Sequence, residues 1–495
     1  MKILVRGKWL FAGSGTQRKV IRDGALYVED DIIRDLGKYR NIAKNYHFDV
    51  KLGSENSVVM PGFINAHHHG KGISTLQRGV VDEPLETRLL SYYEHKGDVD
   101  TYDDAILAAV NEIESGITSI LHHHYGVEPM NSKEYRDDLD KVAKAWADSG
   151  LRVAIAPFVE DQDEGGVGMI RALEGKNILP RRLGHMKDKV SGDEKVKAYF
   201  ETFPRLAKFH GYEGRIKILL GPTGPQWCTD QLLQRVKMTA HNCRTGIHTH
   251  LVETKYQQEY GFRVYGKSQV EHLDELGFLG PEVSCAHSVW LTEKDIDILA
   301  KTKATAVHNL SSNLRLFSGM APILRMKEKG VNVALGTDAL GIDDDEDFFQ
   351  EMRLNYFIHR KYGIEATKLS SNQILDMATI AGSRAILQEG ATGALKVGMK
   401  ADIIILNSER IFSPSGIPQL PAMDLIVSRA RSLDVDTVIV NGKILMRNRR
   451  LMSINKNEAM EKIKKGMARR RRRRGELKEL KTWIRNYFSK FKCST

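Results

Sequence analysis

At 495 residues and 41% hydrophobic, the chain can bury a large core, and it contains no run of 18 apolar residues that would cross a bilayer. The formal charge of +11 belongs to one end: from Lys456 onward there are 15 Lys/Arg against 4 Asp/Glu, leaving 59 of each sign elsewhere, so the high pI says nothing about the body's substrate. Four cysteines (228, 243, 285 and 493) lie far apart without a Cys-x-x-Cys, which excludes a disulfide framework and fits a reducing cytoplasm. Lys2, Arg6 and Lys8 break up any apolar start, arguing against a secretory signal.

In chain order, residues 2–57 read as short alternating strands (Lys2–Val5, Ala25–Glu29, Asp31–Leu36), one half of a small β unit. The apolar run Val58–Met60 then leads into Pro61–Gly70, with histidines at 67, 68 and 69. An irregular segment, 70–97, follows as an expected substrate-covering loop. Beyond it helical and strand-like patterns alternate. Helices are expected over 101–115, 134–149, 195–210, 229–243, 267–276, 292–300, 320–329 and 346–360. Strands are expected over 117–121, 151–156, 216–220, 245–249, 282–286, 304–307 and 331–335.

Counting the strand after Val58, eight β units alternate with helices, the pattern of a (β/α)8 TIM-like barrel. An open doubly wound sheet is the alternative, but no Gly-x-Gly-x-x-Gly follows the first strand. After a helical stretch at 370–388, Gly393–Gly398 and strand-like Ala401–Leu406, Leu425–Val427 and Thr437–Val440 suggest more β structure. The simplest architecture joins it to the N-terminal strands as one small composite β-sandwich domain. The divisions are then 1–57 and 391–450 for that domain, 58–390 for the barrel and 451–495 for a basic helical tail.

Barrel chemistry sits at the C-terminal ends of the strands. Strand one ends in His67 and His69, which share a face because strand side chains alternate, while His68 points away. Strand two ends in His122, His123, His124 and Tyr125, strand five in His248 and His250 followed by Glu253, and strand six in His287. Strand seven ends in His308 and Asn309, with Asn313 close behind, and strand eight in Gly336, Thr337 and Asp338. A single such histidine is ordinarily a core or surface residue, and an Asp after a strand is ordinarily a helix cap. The coincidence on strands one, five, six and eight is what points to a metal site, since neutral imidazole is a common ligand of divalent metals.

These motifs resemble the amidohydrolase superfamily, in particular its mononuclear branch of nucleobase and adenosine-type deaminases and triazine hydrolases (chlorohydrolase-like). The matching pieces are Pro61–His69, His250 with Glu253, Ala286–His287, His308–Asn313 and Gly336–Asp338, within a likeness running from Lys2 to about Arg447. The resemblance implies one divalent metal, zinc by default with iron as an alternative, held by His67, His69, His250, His287 and Asp338. It leaves open whether His287 touches the metal or only its bound water. It implies that Glu253 is the proton shuttle and that Asp338 and His287 share the catalysis. Binuclear relatives use a carboxylated lysine at the end of strand four; here Lys217 stands near that strand's start, so a mononuclear site is expected.

The chemistry is self-consistent. A divalent metal lowers the pKa of bound water from about 15.7 towards 7, giving hydroxide at neutral pH. Asp338 can take a proton from that water, His287 can stabilise the developing oxyanion, and Glu253 can protonate the ring or leaving nitrogen, a general acid/base role worth roughly 10²–10⁴-fold. The expected activity is hydrolysis of a C–N bond, foremost deamination of an amino-heterocycle. Hydrolysis of an amide, urea or carbamate in a non-nucleobase substrate is the alternative, and a non-catalytic scaffold a third reading. Candidate substrate contacts are Gln77, His122, His124, Trp227 and His308. The insertion Glu160–Val190, with Arg181 and Arg182, reads as substrate-specific.

The tail carries Arg469–Arg474, then Leu477, Leu480, Trp483, Ile484, Tyr487 and Phe488 at helical spacing. Docking on the barrel or a neighbouring subunit is the expected role; contact with an acidic partner comes second and interfacial membrane binding third. The resemblance also implies a homo-oligomer, and the substrate is expected to be a small molecule.

Overall fold

The computed structural model describes residues 1–95, 99–125, 132–162, 169, 192–206, 214–414, 419–468 and 476–491. The insertion's Arg181 and Arg182 and the tail's Arg469–Arg474 lie outside them.

Eight parallel strands form the barrel: Phe63–His68, Ile117–His124, Arg152–Val159, Ile216–Ile218 with its extension Gly221–Pro222, Ile247–Leu251, Val283–His287, Thr305–His308 and Asn332–Leu335. Their near-continuous burial is what a sheet covered on both faces requires, and it explains the apolar runs in the sequence. Two joins close the ring. His248 N–H donates to Leu220 O at 2.9 Å between strands four and five, and Asp338 N–H donates to His67 O at 3.0 Å between strands eight and one.

Both chain ends build the second domain. Its eight-stranded sheet runs Arg450–Leu451, Lys443–Arg447, Val435–Val440, Ile403–Asn407, Val50–Pro61, Lys2–Ala12, Lys19–Glu29 and Ile32–Lys38. Val50–Pro61 is the seam, parallel to the first strand and antiparallel to Ile403–Asn407. Val58–Met60, expected to open the barrel, therefore belong to this sheet, and the chain changes sheets at Gly62. There Gly62 N–H donates to Asp402 O while Phe63 N–H already donates to Gly116 O in the barrel. A Cβ at Gly62 would fall 2.1 Å from the Thr118 side chain, so only glycine passes. Arg152, buried at the foot of strand three, grips Asp402 through Nε and Nη2 at 2.8 and 3.1 Å and locks the two domains together.

Two expected elements differ. Segment 70–97 is not wholly irregular, because Leu85–His95 is a helix. Leu425–Val427 is no strand but part of the helix Ala422–Arg429, where Met423, Ile426 and Val427 bury one face at helical spacing.

The tail docks on the barrel through two helices. Lys456–Ala468 lies against the helix Thr101–Glu114, with Lys456 paired to Glu114 at 2.8 Å. Glu476–Phe488 buries Leu480, Ile484, Tyr487 and Phe488 against Leu90, Met169 and Tyr260. Lys481 and Arg485 reach the nearly buried Glu83 at 3.1 and 2.9 Å. Among the described residues no helix is long and apolar enough to cross a membrane. Ile484→Asp places an unpaired charge in that apolar contact. It is expected to free the terminal helix, read as proteolytic trimming after residue 468 with the barrel's circular dichroism unchanged; a trypsin-resistant terminus would contradict this docking.

Candidate metal and catalytic centre

The strand ends converge as alternation requires. His67 and His69 rise from strand one, His250 from strand five and His287 from strand six, with ring centroids 4.9–5.6 Å apart. Asp338 Oδ1 lies 3.1 Å from His67 Nε2 and 2.9 Å from His69 Nε2. Two ligand-like groupings, His67/His250/His287 and His67/His69/Asp338, meet at His67.

Each ring is aimed by its other nitrogen. Nδ1 of His69 lies 2.7 Å from His123 O, that of His250 2.6 Å from Thr223 O, and that of His287 2.9 Å from Asn313 Oδ1. Each of these oxygens accepts the Nδ1 proton, so Nε2 is left bare towards the centre. Ser312 Oγ–H donates to Asp338 Oδ2 at 2.5 Å, leaving Oδ1 for the same space. His67 Nε2, Asp338 Oδ1 and Glu253 Oε1 are buried without a hydrogen-bond partner. Orphaned acceptors of this kind are costly unless a cation or proton completes them, and a His/carboxylate set suits a divalent metal. The residues fit one.

Electrostatics agree. Burial, reinforced by neighbouring imidazoles, pushes His67 and His250 down to about 3 and His287 to about 4, so all three are neutral at pH 7. Burial alone would raise Asp338, but His69 and His67 outweigh it and hold the carboxyl well below its usual range. Glu253 goes the other way: burial first, then the charges of Asp338 and Glu86, push it well above the usual carboxylate range. Its Oε2 stands 3.6 Å from His287 Nε2. Glu86 reaches this corner from the helix Leu85–His95, its Oε1 accepting from Thr254 Oγ1–H at 2.6 Å.

Backbone strain collects here. His287, Ser288, Asp338 and Ala339 take φ of +70°, +50°, +59° and +56°, and Val252 +40°. Non-glycine residues hold such angles only where the surroundings enforce them, and such sites are commonly functional. Gly336 lets strand eight close on His67: a Cβ there would sit 2.9 Å from His67 N and 2.4 Å from Asn309 Oδ1.

The expected substrate contacts fare unevenly. His122 and His124 turn outward, His122 Nδ1 accepting from Trp146 Nε1–H at 2.7 Å and His124 pairing with Asp138 at 2.7 Å. The inward residue is His123, 4.8 Å from His250 and 4.9 Å from His248 between ring centroids. The reason is register: His122 pairs with the outward His68, so the next residue faces in. Gln77 is exposed, its Oε1 accepting from Ser74 N–H. Trp227 is buried with its ring 6.5 Å from His250. His308 is turned to His359, Nε2 to Nε2 at 2.9 Å. Lys217 is directed at Leu387 O, away from the centre. Phe158, absent from the sequence-derived set, packs 5.6 Å from His250 and 5.8 Å from His69, with Tyr125 5.1 Å from His69.

The profile of the amidohydrolase family matches residues 58–445. The chain is 32% identical over 457 residues to a 5'-deoxyadenosine deaminase of Methanosarcina barkeri, covering 90% of this chain and 93% of that one. It is 33% identical over 471 residues to a 5-methylthioadenosine/S-adenosylhomocysteine deaminase of Syntrophomonas wolfei, covering 94% and 98%. Among solved structures, a zinc-bound adenosine deaminase from Xanthomonas campestris superposes with a TM-score of 0.77 at 21% identity, over 98% of both chains. An atrazine chlorohydrolase from Arthrobacter aurescens complexed with zinc gives 0.76 at 21% identity, over 94% of this chain and all of that one. The site and fold define a metal-assisted hydrolase of the barrel class. The chain belongs to the amidohydrolase family, and its chemistry is hydrolytic cleavage of C–N bonds.

The neutral imidazoles set an acid limit on the metal-free protein. Unfolded, they bind protons below about pH 6.5; folded, His67 and His250 do so only near 3 and His287 near 4. The unfolded state therefore takes up protons first, and stability falls as pH drops below 6.5, by roughly 2 kcal/mol per histidine between pH 6.5 and 5. Thermal melts of chelator-treated protein should hold steady from pH 8 to 7 and drop steeply towards pH 5. A melting temperature insensitive to that descent would contradict the buried neutral cluster.

Proposed function

We propose that this chain is a mononuclear, zinc-dependent aminohydrolase that deaminates an adenosine-type substrate, releasing ammonia. The observation carrying this reading is the buried Glu253, its Oε2 3.6 Å from His287 Nε2 and its Oε1 without a hydrogen-bond partner, with burial and the charge of Asp338 pushing its carboxyl well above the usual range. The named activities of the relatives, on 5'-deoxyadenosine and on 5-methylthioadenosine or S-adenosylhomocysteine, support the substrate class. So do the rings of Phe158, Tyr125 and Trp227 around the centre, since flat aromatic walls suit a planar heterocycle.

His67, His69, His250, His287 and Asp338 would hold the zinc, which when bound supplies a Lewis acid that makes water nucleophilic at neutral pH. Glu253 gives its proton to the ring nitrogen beside the carbon under attack, which makes that carbon electrophilic. Asp338 accepts the first proton of the attacking water and passes it to the departing amine. The second water proton, lost as the new carbonyl forms, restores Glu253. The balance is one water in, one ammonia out, with an amino group replaced by oxygen and a proton left on the ring nitrogen. His287, fixed through Asn313, has Nε2 as its one bare nitrogen, the atom it would offer to the zinc. Glu86, through Thr254, braces the turn that presents Glu253.

Zinc-loaded protein is expected to release ammonia from 5'-substituted adenosines. Glu253→Gln should cut kcat by roughly 10²–10⁴-fold while zinc content stays at the wild-type level. Amine released instead from amides, ureas or carbamates, with adenosines untouched, would overturn the substrate class and leave the site standing. Undiminished turnover by Glu253→Gln would overturn the role of Glu253.

A further inference from the structure

His67 is anchored differently from its neighbours. Where His69, His250 and His287 rest their Nδ1 on oxygens, His67 Nδ1 meets another imidazole nitrogen, Nε2 of His248, at 2.8 Å. His248 is wholly buried, two residues before His250 and on the same face of strand five. Its Nδ1 lies 2.7 Å from Ser284 Oγ, and that hydroxyl donates to Ile247 O at 3.4 Å.

The metal reading sets the direction of these contacts. His67 can offer Nε2 to a zinc only with its proton on Nδ1, and that proton goes to His248 Nε2. A neutral His248 then carries its own proton on Nδ1 and gives it to Ser284 Oγ, whose hydroxyl proton is turned to Ile247 O. His67 Nε2, the atom 3.1 Å from Asp338 Oδ1, is left bare. The same reasoning argues against His248 as a ligand in the neighbouring His67/His123/His248 grouping, since both of its ring nitrogens are engaged.

We infer that His248 is a positioning residue for metal binding: with Ser284 it fixes His67 as the Nδ1–H tautomer and makes its Nε2 a stronger donor than the histidines resting on oxygens. An imidazole nitrogen is a better base than an amide oxygen and polarises the N–H it accepts more strongly. Partners of this kind to metal-bound histidines typically change affinity by roughly 10–100-fold when removed. The second proton acceptor in the line, Ser284, comes from strand six, so the relay also ties the His67 ring to the strand that carries His287.

The inference rests on the zinc reading above, and the test separates the two. Full-length wild type, His248→Gln, His248→Leu and Ser284→Ala are titrated with zinc against a chromophoric chelator, and the metal-free forms are melted in parallel. Wild type that takes up no zinc overturns the metal reading itself. With wild type loaded, His248→Leu is expected to bind zinc roughly 10–100-fold more weakly. His248→Gln is expected to fall between wild type and the leucine variant, because its amide oxygen accepts from His67 and its NH₂ donates to Ser284, which keeps the tautomer, while the oxygen polarises the His67 N–H less than an imidazole nitrogen does. Wild-type affinity in His248→Leu, or a glutamine variant as weak as the leucine one, overturns the inference. Should the metal-free leucine variant fail to fold, Ser284→Ala decides: a several-fold loss of zinc affinity supports the relay, and unchanged affinity overturns it.

Discussion

The closure of the barrel between its last and first strands is the constraint on which the site depends. Asp338 N–H donates to His67 O, and that one backbone contact brings a carboxylate from residue 338 to the imidazoles of residues 67 and 69. Gly336 makes the approach possible by omitting a Cβ where His67 passes. The left-handed backbone at Asp338 and Ala339 then turns the carboxylate inward instead of along the strand. Strain of this kind costs about 1–3 kcal/mol per residue and persists only where the surrounding structure enforces it. Here the enforcement is the ring of strands itself.

Burial then sorts the protons. One cluster of histidine rings surrounds an aspartate carboxyl drawn below its usual range by His69 and His67 and a glutamate pushed above it by burial and by that aspartate. Two acidic side chains of similar intrinsic strength are thereby pushed apart, the arrangement that assigns one as base and the other as acid. The tail contributes indirectly. Its terminal helix packs on Leu90 and pairs with Glu83, holding the helix Leu85–His95 whose Glu86 braces the turn beside Glu253. The basic charge that dominates the composition thus includes two side chains, Lys481 and Arg485, spent on docking.

What could be read in the sequence were the features fixed by local period and fold. Alternation alone separates His67 and His69 from His68, and the barrel pattern places His250, His287 and Asp338 on one face. What could not be read depends on pairing between strands. Whether His122, His123 or His124 faces inward is set by the register with strand one, and the triple histidine carries no sign of it. Val58–Met60 are as apolar in the small sheet as they would be in a barrel strand, so their destination was hidden. Leu425–Val427 carry β-branched character, yet the buried spacing of Met423, Ile426 and Val427 makes a helix. The partners that aim the imidazoles, His123 O on strand two, Thr223 O just past the Gly221–Pro222 extension and Asn313 on the helix Leu310–Arg315, belong to other elements of the barrel and show only in three dimensions. His248 stood in plain view beside His250, but its role follows from a hydrogen-bond direction that no sequence pattern encodes.

The most direct test of this account is the metal content and coordination of the purified full-length protein, by elemental analysis and X-ray absorption after loading with zinc. The arrangement predicts one divalent ion per chain in an all-nitrogen and oxygen shell dominated by imidazole. A folded protein that binds no zinc, that binds two ions per chain, or that shows sulfur in the shell would contradict it.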